Sequence, residues 1–209
     1  MNELPQPRHS PHGFGLLSMN DVPFLEHTLH LVASKHGNIR MLELGVANGG
    51  TTAGIYNHCQ KMKWPFSWIG MDHKIGRPEF PLGDWGKFIE GDLYHPQNWQ
   101  QVPDDINLLF IDPCHCTSHT VEAFNLFERN VIRDGYILFH DTCSHPDWQG
   151  KWEQCKPDRF IGTREALKLL RLDKESLVAV ADNSNYEYIG EQDRGTGQGM
   201  YLVQRTYRF

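Results

Sequence analysis

Between residues 21 and 36 apolar side chains recur at helical spacing: Phe24, Leu25, Leu29, Leu31 and Val32, with Thr28 on the same face. Such spacing gives a helix one apolar stripe to bury. Asn20 or Asp21 can cap its start, Pro23 suits its first turn, and Gly37 supplies the stop after His36. The pattern then condenses into a short apolar run, Ile39, Met41, Leu42 and Leu44, which reads as a strand. Glycines 45, 49 and 50 break it, and Thr51–Met62 returns to helical character. Phe66–Met71 predicts a second strand ending in Asp72, and His73–Gly86 a loop rich in Pro, Gly and aromatics. Lys87–Glu90 predicts a short third strand, closed by Gly91 and Asp92.

The clearest buried strand is Ile106–Ile111 (INLLFI), a nearly continuous apolar run of the kind covered on both faces of a parallel sheet. It ends in Asp112. A helix is expected over Ser118–Asn130, with Val121, Phe124, Leu126 and Phe127 inward, then a turn at Arg133-Asp134-Gly135. Tyr136–Phe139 is the next strand, ending in His140-Asp141, and completes a βαβ unit. Thr142–Ile161 is polar and aromatic and too long for a simple connection, which marks Trp148–Phe160 as a candidate substrate lid. A helix covering Ala166, Leu167, Leu169 and Leu170 follows, then strands at Leu177–Ala181 and Gly199–Gln204, the last expected antiparallel at the sheet edge. The fold expected is α/β, Rossmann-like and doubly wound: a mostly parallel seven-stranded sheet with helices on both faces and an antiparallel edge strand. Residues 1–19, Pro- and His-rich without periodicity, read as an arm, and 20–209 as a single domain.

Composition narrows the function classes. A formal charge of -6 and the lack of a basic tract argue against a nucleic-acid partner. Apolar runs stop well short of the roughly 18–20 residues a membrane span needs. The polar start MNELPQPRHSPHG lacks an apolar leader region, and five cysteines in a chain of 209 residues suit a reduced setting, so a cytoplasmic location is expected. A small-molecule substrate fits these bounds, with homo-oligomerisation left open.

The glycine turn after the first strand carries the first chemical signal. Val46 stands where a dinucleotide fingerprint places its second glycine, and no Lys-Ser/Thr pair follows to make a phosphate-cradling loop. A ligand without a pyrophosphate suits such a turn. Asp72, 22 residues past Gly50 at the tip of the second strand, stands where doubly wound folds hold the ribose hydroxyls of an adenosine. The stretch E-x-G-x-x-x-G-G (Glu43 to Gly50) resembles the first motif of class I S-adenosylmethionine (SAM)-dependent methyltransferases. That resemblance implies that Gly45, Asn48, Gly49, Gly50 and Thr51 face the methionine end of SAM and that Glu43 lies near its charged groups. It also implies that Asp92 contacts the adenine end.

Glu43, Asp72, Asp92, Asp112 and His140-Asp141 all fall at carboxyl ends of predicted strands, which a parallel sheet gathers on one edge. Asp112, His140 and Asp141 come from two neighbouring strands. Two carboxylates and an imidazole at one point call for a cation, magnesium first, with manganese, iron, zinc or cobalt as alternatives. FIDPCH together with ILFHDT resembles the paired motifs of metal-dependent O-methyltransferases, of the catechol and caffeoyl-coenzyme-A type and of sugar-, macrolide- and cephalosporin-tailoring relatives. The likeness covers Met41 to Tyr201. It implies Asp112 and Asp141 as metal ligands, with His140 a third ligand or a neighbour, and His115, three residues after Asp112, as general base. The chain departs from that pattern at Pro113 and Cys114, and no Tyr-Glu follows His115.

Three other readings compete. Cys114, His115, Cys116, His119, Cys143, His145 and Cys155 could hold zinc, although neither cluster has the usual C-x2–4-C spacing. Buried cysteines acting as small hydrophobes explain most of them equally well. A non-catalytic module binding a nucleotide or nucleotide-sugar would keep the ribose acids but would not need the Asp112/Asp141 pair. Hydroxylation would require a facial iron triad that the sequence does not supply.

Overall fold

The structure, a computed structural model, describes residues 17, 21–73, 78, 80–93, 95–113, 117–142, 162–170, 177–182 and 199–206. The elements run α1 (Asp21–His36), β1 (Ile39–Leu44), α2 (Gly50–Met62), β2 (Phe66–Asp72), β3 (Gly86–Glu90), α3 (Pro96–Trp99) and β4 (Ile106–Ile111). They continue with α4 (Thr117–Phe127), a 3-10 turn at Glu128–Asn130, β5 (Val131–His140), α5 (Gly162–Leu169), β6 (Leu177–Asp182) and β7 (Met200–Arg205). The seven strands form one sheet in the order β3-β2-β1-β4-β5-β7-β6. β1 to β5 pair in parallel, and β7 runs antiparallel to both β5 and β6. This is the expected mixed, Rossmann-like sheet.

Strand alternation sorts the core into two layers. Ile39, Met41, Trp68, Leu108, Phe110, Leu138 and Met200 pack under α1 and α2, against Leu25, Leu29, Ile55 and Cys59. Leu42, Leu44, Leu109, Ile111, Ile137, Phe139 and Val203 face α4 and α5, against Phe124, Phe127 and Leu170. All six residues of β4 are buried, as a central strand covered on both faces requires. Cys59 is a fully buried free thiol, pushed up to about 12 by that burial, and serves as a small core hydrophobe.

α1 positions the site from a distance. It stops at Gly37, whose positive φ of 72° and N–H bond to the Ala33 carbonyl (2.8 Å) form a left-handed cap. The chain turns at once into β1, so α1 lies back along the strand. Sixteen helical residues span about 24 Å, against about 20 Å for a six-residue strand. The first turn of α1 is therefore carried to the carboxyl edge of the sheet.

Two local expectations are revised, and one short helix had no counterpart among them. The last strand is antiparallel but lies one position inside the edge: Met200, Leu202 and Val203 are fully buried, whereas β6 exposes Val178 (50%) and Val180 (41%) and takes the edge. Arg133-Asp134-Gly135 is no separate turn but a bulge within β5, where pairing jumps from Ile106↔Val131 to Leu108↔Tyr136. Asp134 adopts φ 60° there, and its carbonyl accepts a bond from Gln204 Nε2 (3.2 Å). α3, too short for a periodic signal, begins with Pro at its first position. The expected arm, apart from Leu17, and the lid lie outside the described residues.

Candidate active site at the carboxyl edge of the sheet

The loop from Gly45 to Gly49 links β1 to α2 through three left-handed residues, Gly45 (φ 87°), Ala47 (φ 50°) and Gly49 (φ 80°). Gly45 is required twice. A Cβ there would stand 1.8 Å from the Asp112 carbonyl oxygen and 2.8 Å from Pro113 Cα, both backbone atoms, and the left-handed φ excludes most side chains. The loop after β1 is thus pressed against the end of β4. A Cβ on Gly49 would meet Phe80 and Pro78, which close over the start of α2. Asn48 is exposed, its Oδ1 accepting from the Gly50 N–H at 3.2 Å, and Thr51 lies half-buried in the first turn of α2.

Asp72 sits at the end of β2 and braces this loop. Its Oδ2 accepts the backbone N–H groups of Val46 (2.7 Å) and Ala47 (2.8 Å), and Oδ1 accepts that of His73 (2.6 Å). A carboxylate has about four acceptor positions, so this pattern leaves room for one further donor. Asp92 follows Gly91, whose N–H is bonded to the Asp72 carbonyl at 2.9 Å, which sets the two acids on adjacent strand ends.

Glu43 points to the α1/α2 face and is 1% exposed. Its Oε2 accepts from Thr52 Oγ1 (2.5 Å) and Trp68 Nε1 (2.7 Å). Burial raises its pKa from 4.5 to about 8; the two hydrogen bonds pull it down, and nearby Asp112 and Asp72 add to the rise. At neutral pH it is largely a neutral acid beneath the loop.

Asp112, His140 and Asp141 meet beside Gly45. Parity explains the encounter: Asp112 and His140 follow Phe110 and Leu138 at two-residue spacing, so they project to the α1 side of the sheet. His140 Nδ1 lies 3.1 Å from Asp112 Oδ1 and 3.4 Å from Asp141 Oδ2. Asp141 reaches back through a left-handed backbone (φ 55°), a conformation that costs energy in any residue but glycine. The three side chains each place one donor atom within 4.8 Å of the others, a set one divalent cation with bonds of about 2.0–2.4 Å could join. Burial alone would lower the His140 pKa, but Asp112 and Asp141 outweigh it and hold the imidazole well above its usual value. The ring also faces a third carboxylate: Asp21 Oδ2, in the first turn of α1, lies 3.5 Å from Nε2, and Asp21 is fully buried.

Of the residues expected from sequence, Glu43, Gly45, Asn48, Gly49, Gly50, Thr51 and Asp72 gather around the β1–α2 loop. Asp112, His140 and Asp141 form one cluster. His115 lies outside the described residues, as do Cys114, Cys116, Cys143, His145 and Cys155 of the zinc alternative. Asp21 was read only as a helix cap. No spacing links residue 21 to residue 140; only the packing of α1 along β1 brings them together.

Residues 42–142 match the family model of a methyltransferase domain, a span that takes in the β1–α2 loop, Asp72, Asp92 and the whole cluster. The fold that carries this segment is the Rossmann-like methyltransferase fold. The fold is shared with an O-methyltransferase from Bacillus cereus determined with S-adenosylhomocysteine (SAH), at 13% identity and TM-score 0.57, over 88% of this chain and 81% of that one. Cofactor-bound Rv0187 from MTB is similar at 13% identity and TM-score 0.60, over 97% of this chain and 84% of that one. The O-methyltransferase TomG of Streptomyces achromogenes, involved in tomaymycin synthesis and determined with SAM, aligns at 13% identity and TM-score 0.53, over 88% and 80%. No curated protein matches the sequence at a significant level.

Proposed function

We propose that this chain transfers the methyl group of SAM to a hydroxyl oxygen of a small molecule, such as a sugar, a polyketide or another secondary metabolite, with a divalent metal held by Asp112, His140 and Asp141. The observation that carries this reading is the convergence of those three donors directly against the β1–α2 loop, where a purely nucleotide-binding module needs no such cluster. The O-methyltransferases among the structural relatives agree with oxygen as acceptor.

The geometry supports the following roles. The loop and helix start at Gly45, Asn48, Gly49, Gly50 and Thr51 offer backbone to the methionine end of the cofactor, with Asp72 bracing the loop at Val46 and Ala47. Asp72 keeps one acceptor position for a ribose hydroxyl, and Asp92 serves the adenine end. Glu43, neutral and buried, supports the loop without adding a second negative charge beside Asp112. The Gly45–Asp112 backbone contact fixes the separation between the donor loop and the acceptor cluster, the in-line positioning on which methyl transfer depends. Magnesium or manganese suits the two carboxylates, and the imidazole admits iron or zinc. Such a cation, when bound, would lower the pKa of the acceptor hydroxyl. His115, three residues past Asp112, is the proposed base for that proton.

Calorimetry of SAM binding, with EDTA and then with magnesium, tests the first half of the reading. Turnover against a panel of hydroxylated acceptors, with and without metal, tests the second. Tight SAM binding with metal-dependent methylation is expected. SAM binding with no metal effect on turnover would remove the metal, and failure to bind SAM would return the chain to the nucleotide-module class.

A further inference from the structure

The imidazole of His140 has two sides, and the proposed metal uses only one. On the far side, Nε2 has no hydrogen-bond partner among the described residues. What it faces is Asp21 Oδ2 at 3.5 Å, from a carboxylate with no solvent exposure, set in the first turn of a helix that packs along β1. Burying a carboxylate is costly unless something offsets it. Two features do so here: the N-terminus of α1, where backbone N–H groups favour a negative charge, and the ring N–H of His140. Phe110 packs against the same ring (centroids 6.1 Å, tilted 66°), so the imidazole is held on its flank and faces carboxylates at both nitrogens.

We propose that Asp21 is a positioning residue: its carboxylate is the acceptor for the Nε2–H of His140, which keeps the proton on Nε2, so that Nδ1 is the nitrogen presented to the Asp112/Asp141 cluster. A ring nitrogen that binds a metal must offer its lone pair, and a carboxylate on the opposite nitrogen fixes that tautomer and orientation. The proposal rests on the metal reading given above, and it makes α1 part of the site. A helix outside the matched segment 42–142 then supplies a group on which the cluster depends.

The test uses the full chain and manganese as probe. Asp21→Asn and Asp21→Ser both keep a polar side chain in the first turn of α1 while withdrawing the carboxylate from Nε2. Thr28→Ala, on the same helix and bonded through its hydroxyl to the Phe24 carbonyl (3.0 Å), controls for general weakening of α1. Both Asp21 variants are expected to lose roughly 10- to 100-fold in Mn2+ affinity by calorimetry or by the EPR signal of free Mn2+. Their affinity for SAH should stay near that of the wild type, and Thr28→Ala should retain full Mn2+ affinity. Wild-type Mn2+ affinity in a folded Asp21→Asn or Asp21→Ser protein overturns the proposal. So does an equal loss in Thr28→Ala.

A second measurement separates the two readings. In 15N-histidine-labelled protein without metal, the His140 Nε2–H signal, assigned through its loss in His140→Gln, should exchange slowly with solvent and broaden or shift in the Asp21 variants. An unchanged signal overturns the role of Asp21. Failure of wild-type protein to bind Mn2+, with the expected change in this signal, would overturn the metal alone.

Discussion

Replacing Glu43 by Gln should remove the share of the pH dependence of stability that Glu43 contributes. In the folded chain Glu43 titrates near pH 8, and in the unfolded chain near 4.5. Between those values the folded state holds a proton that the unfolded state has released, so stability falls as pH rises. The contribution is fully present below pH 4.5, declines through the window to about 8, and is gone above it. The slope reaches about 1.4 kcal/mol per pH unit in mid-window and tapers near either pKa, so raising the pH from 5 to 8 removes about 3–4 kcal/mol. Gln mimics the protonated acid: its oxygen can accept from Thr52 and Trp68, and its amide stands where the acid O–H was. Urea denaturation of both proteins at half-unit intervals from pH 5 to 8 isolates the effect, because every other titrating group, His140 included, is common to both. The variant should gain on the wild type steadily, by about 3–4 kcal/mol over the range. Parallel curves with a constant offset would refute the reasoning and mean that Glu43 is ionised in the folded protein.

Asp112→Ala and Asp141→Ala should each abolish turnover while SAM affinity by calorimetry stays within about threefold, since both lie on the acceptor side of the loop; a matching loss of SAM affinity would count against a metal role. Gly45→Ala should cost more than about 3 kcal/mol or prevent folding, because its Cβ meets the Asp112 backbone rather than a movable side chain; a urea midpoint close to wild type would contradict the loop geometry. Asp72→Ala frees the N–H groups of Val46 and Ala47, and a SAM affinity at least about tenfold weaker is expected from a loop no longer held; unchanged affinity would mean the loop holds itself. Phe124→Ala, at a fully buried site stacked on Phe139, should destabilise by about 3–5 kcal/mol in denaturant unfolding with no specific effect on metal binding.

Most of the sheet was legible because its strands are short apolar runs bounded by glycine, proline or acid. Asp72, Asp112 and His140-Asp141 could be placed on one edge because strand ends of a parallel sheet converge whatever the details. Two-residue spacing from Phe110 and Leu138 even fixes which face Asp112 and His140 share. What escaped depends on contacts without a local signature. The position of β7 between β5 and β6 is decided by how much of each strand is buried, and both read equally well as short apolar segments. The bulge at Asp134 resembles a turn in composition because both need a left-handed residue. Asp72 was expected to face a ribose, and its bonds to Val46 and Ala47 follow from the curl of a loop no periodicity describes. Asp21 is the extreme case, a residue whose meaning lies wholly in the length and direction of a helix.

The insertion of β7 has a consequence for how such a protein can diversify. The chain leaves β5 at Asp141, and His140 is paired with Met200, the first residue of β7; Asp182, which ends β6, is paired with Tyr201. Thr142, Asp182 and Gly199, the described residues that adjoin the two long connections, therefore lie on the rim that holds the cluster, while the glycine loop, Asp72 and Asp92 belong to the other half of the sheet. Under the proposed function, cofactor chemistry and acceptor choice are written in different stretches of sequence. Insertions, deletions or wholesale replacement in the two connections can change which molecule is methylated while β1, β2 and β4 stay untouched, so acceptor range can drift quickly on a fixed catalytic frame.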